Sequence, residues 1–142
     1  MAGACFAPEL TEDTMRIFID FNFEAAHHLP HSFPDGHINQ RLHGHSFRGR
    51  ITLEGRPDAK TGLITDLGAV KACADSAREA LDHRYLNEIQ GLELPTLETI
   101  ATWLWRRIAP ELPALAQVGI YRDSCGEGCE YNGEFEARKV AA

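Results

Sequence analysis

Three histidines in two short stretches, His27 and the pair His43 and His45, are the residues whose types and spacing point most directly to chemistry. Side chains at i and i+2 of a β-strand project from one face, so His43-Gly44-His45 sets two imidazoles side by side. A third imidazole from a neighbouring strand, His27 at the end of Ala25-Ala26-His27, completes a three-nitrogen set with one coordination position open. That is the ligand pattern of a catalytic zinc ion rather than a structural one. Copper, nickel and iron also accept imidazole. Six of the seven histidines (His27, His28, His31, His37, His43 and His45) crowd into this segment. His28, His31 and His37 are read as loop residues or as donors behind the ligands.

The elements that must hold these rings follow from periodicity. Ile17, Ile19, Phe21 and Phe23 alternate with Arg16, Phe18, Asp20 and Asn22, which predicts a strand from Met15 to Ala26. Residues 28–41, rich in Pro, Gly, His and Asn, form a long loop of the kind that carries function. A second strand runs from Leu42 to Glu54. Asp66 then caps a helix whose apolar positions are Leu67, Val70, Ala74, Ala77 and Leu81. Asp82 to Asn87 connects to a second helix, which begins after Pro95 with Thr96 as cap and Glu98 at its positive end. Ile100, Leu104, Trp105 and Ile108 form its buried stripe. Ala114 to Asp123 returns as a strand, and Glu130 to Ala137 reads as the last one. The order ββααββ implies an α+β fold, an antiparallel sheet with two helices on one face. Residues 1–14 lack periodicity and are expected to fray, leaving residues 15–142 as a single domain.

A chain of 142 residues can bury about two-thirds of its unfolded surface in one core. A net charge of −7 excludes a general binder of nucleic-acid backbones, which needs concentrated Lys and Arg. Arg41, Arg48 and Arg50 are either a local basic pocket for a small anion or solvated strand residues. Cys125 and Cys129, in CxxxC spacing without a second pair, read as a glycine-rich turn between strands rather than a metal or redox site. No apolar run is long enough to cross a membrane, and the first residues lack a signal-peptide pattern. A cytoplasmic location is the resulting expectation.

Four stretches then carry a resemblance: Phe23-Glu24-Ala25-Ala26-His27, Arg41-Leu42-His43-Gly44-His45-Ser46-Phe47, Leu81-Asp82-His83-Arg84-Tyr85-Leu86-Asn87 and Leu94-Pro95-Thr96-Leu97-Glu98. Together they resemble the 6-pyruvoyltetrahydropterin synthase family, and within it the bacterial 6-carboxytetrahydropterin synthases of queuosine biosynthesis. The resemblance extends from Met15 to Tyr131. It implies a tunnelling fold, in which sheets of several subunits close into a barrel, and a homohexamer built as a dimer of trimers. It also implies His27, His43 and His45 as zinc ligands, and an Asp-His proton relay at Asp82 and His83. The implied reaction converts 7,8-dihydroneopterin triphosphate to 6-carboxy-5,6,7,8-tetrahydropterin, releasing triphosphate and acetaldehyde.

Two positions depart from the family pattern. Asn39 stands four residues before His43, where the family's catalytic cysteine is expected, and an amide cannot serve as a base near neutral pH. Asp123 stands where the family has a glutamate that accepts two hydrogen bonds from the pterin, shortening that reach by about 1.5 Å. Glu98, with Thr96 beside it, is a second candidate for holding the pterin. Three readings follow: a 6-carboxytetrahydropterin synthase lacking its cysteine, a pterin side-chain lyase giving 6-hydroxymethyl-7,8-dihydropterin, or a non-catalytic binder of zinc and pterin.

Overall fold

The computed structural model describes residues 13–141. Two long strands, β1 (Met15–His27) and β2 (His43–Gly55), pair antiparallel without a break from Met15 opposite Gly55 to His27 opposite His43. Their alternation has the expected sense. Phe21, Phe23 and Ala25 of β1 and Phe47, Ile51 and Leu53 of β2 are buried on one face. Arg16, Phe18, Asp20, Asn22 and Glu24 of β1 lie on the other. Helices α1 (Leu67–Leu81) and α2 (Leu97–Ile108) cover the buried face with Val70, Ala74, Ala77 and Leu81 from one, and Ile100, Ala101, Leu104 and Ile108 from the other. Strands β4 (Leu115–Arg122) and β5 (Glu127–Tyr131) extend the sheet antiparallel on the far side of β2. The fold is α+β, with a five-stranded sheet and its helices on one face.

Both predicted caps form. Asp66 accepts the Gly68 N–H at 2.9 Å, and Thr96 Oγ1 accepts the Thr99 N–H at 3.2 Å. Each satisfies one of the free donors at a helix start.

Two expectations need correction. The stretch from Asp82 to Asn87 is more than a connecting loop. Arg84 and Tyr85 form a short strand, β3, parallel to Ala25 and Ala26 of β1, so the sheet is mixed, in the order β3-β1-β2-β4-β5. Next, the last strand ends at Tyr131, and Glu134–Ala141 is a helix, α3, instead of strand continuing to Ala137. Gly133, at φ +81°, turns the chain out of the sheet, and Asn132 Oδ1 accepts the Glu134 N–H at 3.1 Å. Glu134 and Glu136 then sit at the positive end of the new helix. Residues 28–41 form the expected long loop, with a 3-10 turn at Ile38–Gln40, tied back where Leu29 N–H meets the Asn39 carbonyl at 3.0 Å. The expectation of fraying falls mostly on residues 1–12, outside those described.

Candidate metal centre

His27, His43 and His45 share the parity of the core residues Ala25 and Phe47, so the register carries all three rings to the helix-facing side at one end of the sheet. Ring centroids lie 4.6 Å apart for His27 and His43, 4.8 Å for His43 and His45, and 5.2 Å for His27 and His45. One ligand nitrogen from each falls within 4.8 Å of the others. His27 is 1% exposed, and Phe47 closes the bottom of the cluster with its ring against His27 and His45.

Hydrogen bonds on the far side of two rings decide what faces inward. His27 Nδ1 meets the Pro95 carbonyl at 2.8 Å, and His43 Nδ1 meets the Arg41 carbonyl at 2.7 Å. A carbonyl only accepts, so each Nδ1 carries the ring's proton and each Nε2 of the neutral ring presents a lone pair. Those two Nε2 atoms lie 3.0 Å apart with no proton between them. Lone pairs opposed at that distance repel unless a cation sits beside both. Backbone carbonyls behind imidazoles are also the usual means of orienting metal-binding histidines. The donor set, three neutral imidazoles, suits zinc.

Burial favours the neutral forms of His27 and His45. Burial holds His27 down at about 4, with the neighbouring His43, His45 and Arg122 opposing its protonation. Burial, then the Arg122 guanidinium, lowers His45 as well. Arg122 was not singled out from the sequence. Its Nη1 lies 3.4 Å from His45 Nε2, its Nη2 pairs with Glu127 at 2.7 Å, and its buried Nε has no hydrogen-bond partner. The signal available was its position one residue before Asp123, on the alternate face of β4. Pro95 was missed for a different reason, because a backbone carbonyl leaves no trace in residue types.

Asp82 and His83 come together at the β1 edge. Asp82 Oδ2 holds His83 Nδ1 at 3.0 Å, while its Oδ1 accepts the Glu24 N–H at 2.8 Å. The Glu24 N–H is the main reason the Asp82 carboxyl lies below the usual range, and His83 and Arg78 add to it. His83 adopts a left-handed φ of +58°, uncommon for a residue with a Cβ, and its side chain is 80% exposed. A cavity of about 550 Å³ is lined by Glu24, Ser46, His45, His83 and Tyr85. Across it Ser46 donates to Glu24 at 2.7 Å.

The remaining candidates scatter. Asn39 lies in the 3-10 turn, its N–H donating to His37 Nδ1 at 3.1 Å, two residues before the carbonyl that orients His43. Thr96 is engaged as the α2 cap. Glu98 is exposed on the first turn of α2 and lines a separate cavity with Trp103 and Arg106. Asp123 begins a 3-10 turn after β4 and is paired with Arg48. The basic-pocket reading of Arg41, Arg48 and Arg50 is corrected: Arg48 and Arg50 are engaged by Asp123 and Asp20. Cys125 and Cys129 flank the β4–β5 turn, where Gly126 takes φ +66°. Among the described residues the three histidines are the one group placed to share a metal.

Known proteins resemble this chain over nearly its whole length. The family described as 6-pyruvoyl tetrahydropterin synthase matches residues 16–134. A 6-carboxy-5,6,7,8-tetrahydropterin synthase of Synechocystis sp. is 39% identical over 121 residues, 81% of this chain and 91% of that protein. A dihydroneopterin monophosphate aldolase of Pyrococcus furiosus is 36% identical over 123 residues, 85% and 96% of the two chains. Among solved structures, the Caenorhabditis elegans 6-pyruvoyl tetrahydropterin synthase superposes with a TM-score of 0.74 at 23% identity, covering 85% of this chain and 96% of that one.

Proposed function

Because this chain belongs to the 6-pyruvoyl tetrahydropterin synthase family, we propose that it is a zinc-dependent lyase converting 7,8-dihydroneopterin triphosphate to 6-carboxy-5,6,7,8-tetrahydropterin. The observation that carries the metal half is the opposed pair of unprotonated nitrogens on His27 and His43, 3.0 Å apart. Together with His45 these residues would hold zinc, which supplies a Lewis acid for the hydroxyl oxygens of the substrate side chain.

The chain's own residues divide the other tasks. With Asp82 accepting the Nδ1 proton of His83, the Nε2 of that ring is the basic end, suited to taking a proton from one side-chain carbon and returning it to the next. Asp123 and Glu98 are the carboxylates available to hold the aminopyrimidine edge of a pterin. Asn39 has no group that titrates near neutral pH, so proton transfer falls to the Asp82–His83 pair. The oligomer belongs to the same reading. Beyond Ala25 and Ala26, β1 has no strand on its outer side among the described residues, and β5 is the opposite edge. Pairing of such edges would close subunits into the barrel of a homohexamer in the cytoplasm.

A second reading is favoured by Asn39 and by the likeness to the Pyrococcus furiosus aldolase. In that reading the side chain is cleaved to 6-hydroxymethyl-7,8-dihydropterin. Incubating the zinc-loaded protein with 7,8-dihydroneopterin triphosphate and weighing the products distinguishes the two. Acetaldehyde and triphosphate with carboxytetrahydropterin are expected; glycolaldehyde triphosphate with hydroxymethyl-dihydropterin would replace the first reading by the second. Binding without turnover would leave a zinc- and pterin-binding paralogue, and failure to bind any reduced pterin would end all three readings. If the rest of the site is arranged for the first reaction, Asn39→Cys raises its rate by about 10²–10⁴.

A further inference from the structure

The carboxylate of Asp123 is already occupied. Arg48 Nε donates to Oδ2 at 2.9 Å and Arg48 Nη2 donates to Oδ1 at 3.1 Å, a fork-on-fork pair that uses both oxygens. The same guanidinium lies over the Tyr121 ring, 4.2 Å from its centroid. Tyr121 can lie flat there because Gly119 and Gly128 sit beneath it, and a methyl at either would overlap the ring. Its hydroxyl is fixed by Glu130 at 2.6 Å. An aromatic floor, with a carboxylate in the plane of the group resting on it, is a built cleft for a flat N–C–N edge bearing two hydrogen-bond donors.

A guanidinium has that edge, and so does the 2-amino-4-oxopyrimidine ring of a pterin. Both present two N–H groups on adjacent nitrogens of a planar guanidine unit. We infer that Arg48 fills in cis, over the Tyr121 ring, the Asp123 carboxylate already proposed to hold the pterin edge, so that a ligand must displace Arg48 to bind. Arg48 has somewhere to go, since Asp20 Oδ2 lies 3.6 Å from its Nη1. Asp20 itself is held by Arg50 at 2.6 and 3.0 Å, so the open face of the sheet offers two carboxylates to two arginines. Arg48 is thereby a specificity-determining residue: it sets the threshold that a ring with its own guanidine edge must overcome to reach Asp123, while Asp123 itself rejects a ring that presents a carbonyl there.

This inference rests on the reduced-pterin reading, and the test separates the two. Neopterin keeps the guanidine edge and fluoresces; its lumazine analogue carries a carbonyl in place of the 2-amino group. Both are titrated into the zinc-loaded protein and its Arg48→Met, Arg48→Lys and Asp123→Asn variants, alone and combined. Removing the fork should tighten neopterin binding by roughly fivefold, the scale of a partly exposed bidentate pair. Arg48→Lys keeps a charge at the position without the fork and should also gain, which guards against a variant that merely folds badly. The lumazine analogue should gain nothing, and Asp123→Asn should abolish the gain. Unchanged or weaker neopterin binding in both Arg48 variants overturns the inference, as does an equal gain for the analogue. Either of those leaves the pterin reading intact, whereas failure of every variant to bind neopterin overturns both.

Discussion

What separates a metal-binding imidazole from an ordinary one is the partner on its other nitrogen. His27 and His43 each donate Nδ1–H to a backbone carbonyl and so turn a lone pair inward. His37 does the reverse: its Nδ1 accepts the Asn39 N–H and its ring stacks on Phe33, 4.3 Å between centroids. His28 is engaged by the Tyr85 hydroxyl. Spacing in the sequence could pick out His43 and His45 and suggest His27, because strand parity is local. The carbonyl behind His27 comes from Pro95, 68 residues away, and no pattern of residue types reports it. The same blindness hid the Arg48 pair with Asp123, since a diagonal contact across two strands needs the register first. Tyr121 gives this cleft a titration signature. Burial, then the hydrogen bond to Glu130, pushes its phenol up to about 12, against about 10 in the unfolded chain. The folded state therefore holds the phenolic proton more tightly. That contribution to stability is complete below pH 10 and is lost as pH climbs from 10 toward 12. Ultraviolet titration near 295 nm should show one phenol ionising about two units later than a free tyrosine, and Tyr121→Phe should remove that late step. A late step that survives the substitution would assign it to another residue.

At the scale of elements, legibility followed how local the cause was. The helices α1 and α2 were readable because each cap and its apolar stripe are local, from Asp66 to Leu81 and from Thr96 to Ile108. Strand β3 was not, because two residues carry no periodicity and their pairing with Ala25 and Ala26 is a tertiary event. Helix α3 was missed because one strand, Glu130 to Ala137, was read straight through Gly133, whose positive φ ends the strand register. The α2 cap also reaches into the metal centre, because Thr96 follows the carbonyl that orients His27. Thr96→Ala removes the acceptor for the Thr99 N–H and should cost about 1 kcal/mol in thermal or denaturant unfolding. Loosening the first turn also loosens Pro95, so zinc affinity, measured by chelator competition, should fall in the same variant. A loss of stability with zinc affinity unchanged would show that Pro95 is held by the loop before it and not by the helix.

Across the whole molecule, the candidate metal centre and the proposed proton-relay pair are positioned differently by the same sheet. His83 N–H is tied to the Glu24 carbonyl at 2.6 Å, three residues before His27 on β1, or about 10 Å at strand rise. The three histidine rings lie on the helix-facing side, while His83 stands largely exposed at the strand edge that, among the described residues, has no partner before Ala25. In the oligomer proposed above, an exposed His83 at that edge would be placed to serve the candidate metal centre of an adjoining subunit as readily as its own. If each working site joins His27, His43 and His45 of one subunit to Asp82 and His83 of the next, inactive variants should complement each other. His45→Ala removes the metal half and His83→Ala the relay half, and each homo-oligomer should be nearly inert. Co-refolded at equal amounts, the two place an intact metal half beside an intact relay half at about one quarter of the sites by random mixing. Activity should then return to about that fraction of the unmutated protein, with zinc retained in half of the subunits. Mixtures no more active than their parents would place the whole reaction within a single chain.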